Sequence, residues 1–525
     1  MHDSDLLIAY DLGTGGIKAS LFDLNGRPLE NTFTQYDVRY PGNGFQEQRP
    51  ELWVEGMVSA TKRLLGRSDA DPARVSALSI SGHSLGAVPV DREGRLLRET
   101  APIWSDDRAK AQAEAFFREI DYPAWYLKTG NGFPAECYTL FKIMWYRDNE
   151  PEVYQRAYKI LGSKDYCNFR LTGRMATDHS YASGTGCYDL KGARYDEEYV
   201  RASGIRPELL PEILPSHAVV GSLTKDAARM LGLTERVRVV AGGVDNSCMA
   251  LGARCTQAGR AYISLGSSSW IAVTGSEPLV DAQRKPFVFA HVVDGLYMSA
   301  TSVFSAGSSF RWVRDQLCPD IVERERRGEI ADSYELLNEM AARSPIGANR
   351  LQFNPSLTSA AMIEKSKNIA GAFVGLRLEH SRGDLVRASM EGIVYNLYYA
   401  LTVLIDCGFS PDEFLLVGGG AKSPFWRQMF ADVFGMNILK SSVDQNAASL
   451  GAASLAAYGL GYWKDFRPAD EAHALEGISR PEPARTVEYR KHYIWSRRIA
   501  DWLADAGDML AEGRGHAHSE SRPHR

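Results

Sequence analysis

Cysteine is scarce in this chain of 525 residues: Cys137, Cys167, Cys187, Cys248, Cys255, Cys318 and Cys407 are scattered, odd in number and without a Cys-x-x-Cys pair. That argues against a disulfide framework or a thiolate zinc site and for reduced, buried thiols. Long apolar runs are missing as well. Residues 6–10 are cut short by Asp11, far below the roughly 20 residues that span a bilayer. The first five residues carry two acids, Asp3 and Asp5, where a signal peptide would have basic residues. A cytoplasmic protein with no membrane partner is therefore expected. Positive charge is not in excess either: the net charge is −5, which offers no footprint for nucleic acid and leaves a small molecule as the expected partner. No Gly-x-x-x-x-Gly-Lys-[Ser/Thr] occurs, so P-loop nucleotide binding is excluded.

What is present is ordinary globular material: 44% apolar and 24% charged residues, with 47 glycines against 23 prolines. A chain this long outgrows one hydrophobic core and should form two large domains. Residues 6–10 read as a buried strand, 13–16 as a turn, and 17–23 as a second strand closed by Asn25-Gly26. A helix is expected over 51–65, a strand over 75–81 and a helix over 109–119, which is α/β layering. In the second half, helices are expected over 385–404, 425–434 and 447–458, and a strand over 414–417. From residue 512 the sequence is polar and reads as a disordered tail. His516 and His518 there could bind a metal, although a solvated tail explains them more simply.

An internal repeat carries more information. Asp11-Leu12-Gly13-Thr14-Gly15-Gly16-Ile17 is echoed by Ser264-Leu265-Gly266-Ser267-Ser268-Ser269-Trp270. Each is a strand, a small-residue turn with a hydroxyl after its first glycine, and a second strand. A single distant repeat indicates two similar domains. The junction is expected near the apolar strand 237–241 and Gly242-Gly243-Val244-Asp245, giving domains 1–243 and 244–511 and the tail 512–525.

Nucleotide-dependent phosphoryl transfer needs a cradle for phosphates, a site for Mg²⁺, and a carboxylate to take the acceptor's proton. Gly13-Thr14 and Gly266-Ser267 suit the first need, because glycine lets backbone N–H groups approach closely and the hydroxyl adds a donor. Either turn alone would be an ordinary hairpin connection. Asp11, at the end of a buried strand, is costly there unless it meets a cation. Asp245 follows a strand and two glycines; it reads as a base, as a helix N-cap, or as both. Gly418-Gly419-Gly420-Ala421-Lys422-Ser423 reads as a loop beneath a nucleoside or as a tight strand-to-helix connection.

Taken together, these segments resemble the FGGY carbohydrate kinases, within the superfamily of sugar kinases, heat-shock chaperone ATPases and actin. The resemblance runs from about Leu6 to about Trp463. Asp11 to Ala19 is similar to the family's opening phosphate motif. Ile103-Trp104-Ser105-Asp106-Asp107-Arg108 is similar to its Trp-Asn-Asp-x-Arg segment beside the sugar. Lys164-Asp165-Tyr166, Thr177-Asp178 and Ala182-Ser183-Gly184-Thr185 resemble its midsection, Gly243-Val244-Asp245 its Gly-x-Asp with the catalytic base, and Gly418 to Gln428 its adenosine motif. Within the family the pattern is nearest to the xylulokinases, with two departures. Their Ser-Gly-Gln-Met-His-Gly becomes Ser81-Gly82-His83-Ser84-Leu85-Gly86, so the sugar-contacting histidine is replaced by Leu85. If that segment is extended, strand alternation puts His83 on the same face. Their Pro-Tyr-Leu-Ser-Gly-Glu-Arg survives only as Pro355-Ser356-Leu357-Thr358-Ser359.

The resemblance implies an α/β protein of two ribonuclease H-like domains with an interdomain cleft, phosphorylating a small sugar or polyol with ATP and Mg²⁺. It implies ATP contacts at Gly13, Thr14, Gly15, Lys18, Gly266, Ser267, Gly419, Gly420, Ala421 and Lys422. Sugar contacts fall on His83, Trp104, Asp106, Arg108, Asp245 and Asn246. Asp245 would be the base, and Asp11 (through water) and Asp245 would hold Mg²⁺. A homodimer is left open. Two rivals stand beside this reading: an actin-like or chaperone-like ATPase that works through interactions, and a catalytically inactive sugar-responsive regulator. The first has no use for the segment from Trp104 to Arg108; regulators of the related kinase type usually carry an N-terminal DNA-binding helical segment, whereas here the first expected strand begins at Leu6.

Overall fold

The computed structural model describes residues 5–42, 44–358, 363–443 and 446–517, with side chains as far as 512. The chain forms two compact units, and neither is continuous in sequence. The first takes Met1–Arg260, Val273–Ser299 and Asn446–Ala474; the second takes Ala261–Ala272, Ala300–Gln445 and Leu475–Arg525. This division differs from a single cut at 243/244.

The first unit is built on a six-stranded mixed sheet in the order Val219–Ser222, Arg238–Val244, Val75–Gly82, Leu6–Leu12, Gly16–Asp23, Pro28–Gln35. Leu6–Leu12 runs antiparallel to Gly16–Asp23 and parallel to Val75–Gly82. Its first five residues are all buried, as a central strand covered on both faces demands. One cover is the helix Pro50–Ser68, whose buried stripe includes Trp53, Met57, Ala60 and Leu64. The other is Ala447–Gly459, buried along nearly all its length. The small residues of that helix permit a close crossing: a Cβ on Gly451 would strike the Cys248 carbonyl, and one on Gly252 the Ala447 carbonyl. Those contacts draw a helix from the end of the sequence into the first unit.

The second unit contains, side by side, the strand Ser269–Gly275 as far as Ala272 and the strands Ala261–Leu265, Glu413–Val417, Asn437–Ser441 and Leu475–Ser479. The repeat inferred from sequence therefore corresponds to two strand–turn–strand pairs, each within its own sheet. The long helix Arg382–Asp406 starts at a capping box between Ser381 and Asp384, which satisfies two of the orphan N–H groups at its start.

The structure departs from the sequence expectations at several places. The helix Lys110–Phe116 is shorter than 109–119, and the strand 237–241 runs on as Arg238–Val244 through both glycines. The expected tail is in part helical: the helix Pro483–Ala517 passes through residue 512 and includes His516. A polar composition serves a helix with one face in solvent as well as it serves a tail. Ser359 and residues 518–525, with His518, lie outside the described residues. Six of the seven cysteines are buried and Cys407 is half-buried, none of them in a disulfide. Among the described residues no helix is long and apolar enough to cross a membrane.

Candidate functional site

In the first unit, two strand ends bring carboxylates together. Asp11 is the penultimate residue of Leu6–Leu12, in register with Lys18 on one neighbour and Ser81 on the other. Asp245 opens the helix Asp245–Gly252 directly after Arg238–Val244; the N-cap position belongs to Val244, so Asp245 is not the cap. Its Oδ1 instead accepts the Asn246 N–H at 2.8 Å. The glycines before it are required by crowding. Gly242 has φ of +71°, and a Cβ there would strike the Ile80 carbonyl, while one on Gly243 would strike Val292. Burial lifts the Asp245 carboxyl to about 7; the Asn246 N–H works against that rise and the charge of Asp11 adds to it. Burial also raises Asp11, against the pull of Lys18. Two desolvated carboxylates that repel one another fit a hard divalent cation. Among the described residues no group of three or more acids, histidines or cysteines could hold a metal; Mg²⁺ commonly takes only one or two carboxylates and keeps its waters.

Behind Asp245 lies a buried network built from the midsection motifs. Lys164 Nζ meets Asp165 at 2.5 Å and Asp178 at 2.8 Å. Burial opposes a charged Lys164, yet the two carboxylates hold its ammonium above the ordinary lysine value. The other Asp178 oxygen accepts hydrogen bonds from Ser180 Oγ at 2.5 Å and Ser216 Oγ at 2.7 Å. Ser180 Oγ in turn accepts the Val244 N–H at 2.9 Å. The backbone immediately before Asp245 is thus fixed by a chain of charge-assisted hydrogen bonds.

The Gly13–Thr14 turn closes through Gly13 N–H to the Gly16 carbonyl at 3.0 Å. Three side chains brace it: Tyr36 hydroxyl to the Gly13 carbonyl at 2.6 Å, Gln48 to the Thr14 carbonyl at 2.7 Å, and Trp104 Nε1–H to Thr14 Oγ1 at 2.9 Å. A Cβ on Gly15 would meet open space. Trp104 therefore links the segment 103–108 to the Gly13–Thr14 turn.

Asp106 and Arg108 behave differently from what their motif suggests. Asp106 accepts Arg108 Nε at 2.8 Å, Arg108 Nη2 at 2.7 Å, the Gln46 N–H at 2.7 Å and the Arg108 N–H at 3.3 Å. That fills the capacity of a carboxylate, so Asp106 orients Arg108 and has nothing left for a ligand. The Arg108 guanidinium also meets Glu47 at 2.6 Å and stacks 4.0 Å from the Phe45 ring. Its Nη1 is buried with no hydrogen-bond partner among the described residues. Lys142 belongs to none of the sequence motifs. It donates to the Leu85 carbonyl at 2.9 Å and the Ile103 carbonyl at 2.7 Å, clipping the segment after His83 to the segment of Trp104. Burial lowers its ammonium to about 8.

The extension expected beyond Gly82 fails at Leu85, whose φ is +61°; strand alternation stops there, and Leu85 packs into the core. His83 is buried with its ring edge-on to Trp53 at 5.4 Å, and neither ring nitrogen has a well-formed hydrogen bond among the described residues. Burial lowers it to about 4, against the Ser84 backbone, so it is neutral.

The second unit contains a cavity of about 590 Å³. Gly266, Ser267, Gly307, Gly419, Gly420 and Lys422 contribute to its wall, as do Phe310, Arg311, Tyr334 and Asn338. Gly307 and Ser308 donate to the Gly266 and Ser267 carbonyls at 3.0 Å each. Gly418 has φ of +94°, and its Cβ would lie 2.6 Å from the Leu265 carbonyl; a Cβ on Gly420 would collide with the Leu265 side chain. Glycine is forced at both. Gly419 faces open space. Ala421 is buried beneath the loop and does not line the cavity. Phe310 and Tyr334 stack at 5.8 Å. Only the cap Asp332, which accepts the Tyr334 N–H at 2.7 Å, leaves a local signal in the sequence for that side of the wall.

Comparison with known proteins gives a consistent picture. Models of the N-terminal and C-terminal domains of the FGGY family of carbohydrate kinases match residues 6–252 and 261–460. Xylulose kinase of Bacillus subtilis is 30% identical, over 92% of this chain and 94% of that protein. Gluconokinase of the same organism is 28% identical, over 92% and 93%. The ligand-bound xylulose kinase from Lactobacillus acidophilus superposes with a TM-score of 0.87 at 26% identity, covering 96% of this chain and 100% of that one.

Proposed function

From the premise that the chain belongs to the FGGY family of carbohydrate kinases, and so is a phosphotransferase acting on a sugar hydroxyl, we propose a division of its residues between acceptor and nucleotide. The acceptor, a small sugar or polyol, is taken by the first unit. Arg108 Nη1, His83, Trp104 and Asn246 offer it hydrogen-bonding groups or an apolar face, while Asp106 acts through Arg108. Asp245 takes the proton of the acceptor hydroxyl as its oxygen attacks the terminal phosphorus of ATP. A new O–P bond forms, the bond to ADP breaks, and a sugar phosphate and ADP result. A carboxyl near 7 is suited to that task, because a base works best when its pKa is close to the working pH. This placement of Asp245 is the observation that carries the reading.

The nucleotide is assigned to the cavity of the second unit, with Gly266, Ser267, Gly419, Gly420 and Lys422 along it; Gly13, Thr14, Gly15 and Lys18 are assigned to phosphate. Asp11, through water, and Asp245 would hold Mg²⁺, which neutralises phosphate charge when bound. Lys164, Asp178 and Ser180 are positioning residues for the Val244–Asp245 peptide.

Leu85 supplies no hydrogen bond where xylulokinase-like sequences carry histidine, and a sugar hydroxyl left unpaired costs binding. D-Xylulose is therefore expected to be a poor substrate beside another pentulose, a polyol, a deoxy sugar or a sugar acid. The test is ADP release by purified protein with ATP and Mg²⁺ across ketoses, aldoses, polyols and sugar acids. Absence of sugar-dependent release from the whole panel would remove the reading. A wide preference for D-xylulose would remove the argument from Leu85 alone.

A further inference from the structure

The short strand Phe45–Gln48 of the first unit has no role in the division of residues above, yet every one of its residues meets a group that does. The Arg108 guanidinium lies 4.0 Å over the Phe45 ring. The Gln46 N–H donates to Asp106 at 2.7 Å, and the Gln46 side chain accepts from Ser105. Glu47 pairs with Arg108 at 2.6 Å. The strand also pairs with Ala101–Pro102, and the Ile103 N–H donates to the Gln46 carbonyl at 3.0 Å. Its first three residues thus face the acceptor side.

Gln48 faces the phosphate side. It is fully buried, and its Nε2 donates to the Thr14 carbonyl at 2.7 Å and to the Asp37 carbonyl at 3.5 Å. Its Oε1 accepts the Trp53 Nε1–H at 3.0 Å. Carbonyls only accept and an indole N–H only donates, so the amide can sit only this way round. Trp53 in turn lies edge-on to His83. The hold on Thr14 has a consequence at the next peptide. The Thr14–Gly15 unit is planar and trans, so fixing the Thr14 carbonyl turns the Gly15 N–H away from Gln48. A Cβ on Gly15 would meet open space, which leaves room for a phosphate to approach.

We propose that Gln48 is a positioning residue for phosphoryl transfer: by holding the Thr14 carbonyl it aims the Gly15 N–H at a nucleotide phosphate, and through Trp53 and its own strand it fixes that aim relative to the acceptor groups. The inference rests on the assignment of Gly13, Thr14 and Gly15 to phosphate.

The experiment is steady-state kinetics of the full chain with ATP and the fastest acceptor among D-xylulose, D-ribulose, D-arabitol and D-gluconate. Acceptor affinity by calorimetry and melting temperature are measured alongside. Gln48→Met fills the space but cannot donate to Thr14. It should lower kcat/KM for ATP at least about tenfold at every pH, with the acceptor dissociation constant unchanged. Trp53→Phe removes only the N–H given to Gln48 and should produce a smaller loss of the same kind. Gln48→Glu supplies a signature that a merely structural role would not. When protonated, the introduced carboxyl donates to Thr14 and accepts from Trp53 as the amide does; when ionised it can only accept. Its kcat/KM for ATP, relative to wild type, should therefore fall by about fivefold or more from about pH 6 to about pH 8.5.

Normal kcat/KM for ATP in Gln48→Met overturns the proposal, as does a loss confined to acceptor affinity or melting temperature. Should Gln48→Met fail to fold, the other two variants decide: a Gln48→Glu profile parallel to wild type, or an unaltered Trp53→Phe, overturns it. A wild type that releases no ADP with any of the four acceptors overturns the underlying assignment as well, an outcome distinct from all of these.

Discussion

The acidic site of the first unit is made of side chains held by other side chains, whereas the cavity wall of the second is made largely of backbone left bare by missing side chains. Asp245 is preceded by a peptide that Ser180, Asp178 and Lys164 hold in sequence. The cavity instead relies on Gly418 and Gly420, where any Cβ would collide. The difference follows from the chemistry proposed for each. A base must have its pKa set and its position fixed, which needs burial and charged neighbours. A phosphate or nucleoside needs close approach to N–H groups, which needs glycine.

Substitutions can break this contrast at either end. The largest effect is expected from Asp245→Asn, which keeps shape and loses the proton acceptor. Turnover should fall by roughly 10²–10⁴-fold while sugar and nucleotide affinities stay near normal; steady-state and binding measurements together decide it. Next come two neighbouring glycines. Gly418→Ala forces an L-residue to φ of +94° against the Leu265 carbonyl, a strain of about 1–3 kcal/mol. It should lower the melting temperature and raise KM for ATP about tenfold or more. Gly419→Ala faces open space, so it should raise KM for ATP without moving the melting temperature. Equal melting shifts in the two variants would contradict the bare-backbone account.

A smaller effect is expected from Ser180→Ala. It removes the acceptor for the Val244 N–H but touches no reacting group, so turnover should drop about tenfold with KM for ATP unchanged, and Ser180→Thr should recover part of it. A drop confined to stability, with normal turnover, would reduce the network to scaffolding.

The smallest effect per residue concerns pH, and it sets the two units apart in stability. His83, His291 and His473 all belong to the first unit. Burial lowers them to about 4, about 3 and about 4, with the Gly252 carbonyl resisting the change at His473. In the second unit His492 is also lowered by burial, but the neighbouring Glu488 opposes that. A histidine lowered in the fold binds fewer protons than its unfolded counterpart between its folded value and the ordinary value of about 6.5. Its contribution to stability is therefore present above about 6.5 and lost as pH falls toward the folded value. Near pH 5.5 the loss amounts to about 1 kcal/mol for each histidine. Melting followed by tryptophan fluorescence should show the first unit losing stability on acidification before the second. His83→Gln should flatten part of that slope. Because Asp245 of the same unit, raised to about 7, gains stability as pH falls from 6.5 to 5, the deciding comparison is with His83→Gln: a slope equal to that of the wild type would show that His83 is not held neutral.

Much of the fold and of the candidate site is legible in the sequence, for identifiable reasons. The two strand–turn–strand pairs, the strand ahead of Asp245 and the helix from residue 425 depend on local patterns of apolar residues, glycine and hydroxyls, which the chain displays within a few residues of each element. The glycines at 418 and 420 are readable as a loop, but their partner Leu265 is not, because it lies far away in sequence. Asp106 looks like a sugar ligand from its motif, and only the contacts of Arg108 and Gln46 show that its lone pairs are taken. An extended segment through His83 is a fair expectation from strand alternation, and the positive φ at Leu85 rules it out.

Short-range patterns thus set the class of the protein: two α/β domains, paired glycine–hydroxyl turns, no P-loop, and a carboxylate after a strand and two glycines. Each is fixed by the period of a strand, the reach of a turn or the bulk of one side chain. Other features come from packing in three dimensions. Residues 446–474 return to the first unit, Lys142 clips two loops together, and Lys164 acts on Asp245 through Asp178 and Ser180. Which helix covers which sheet is decided at the same level. All of these depend on contacts between residues far apart along the chain, and neither periodicity nor composition records such contacts.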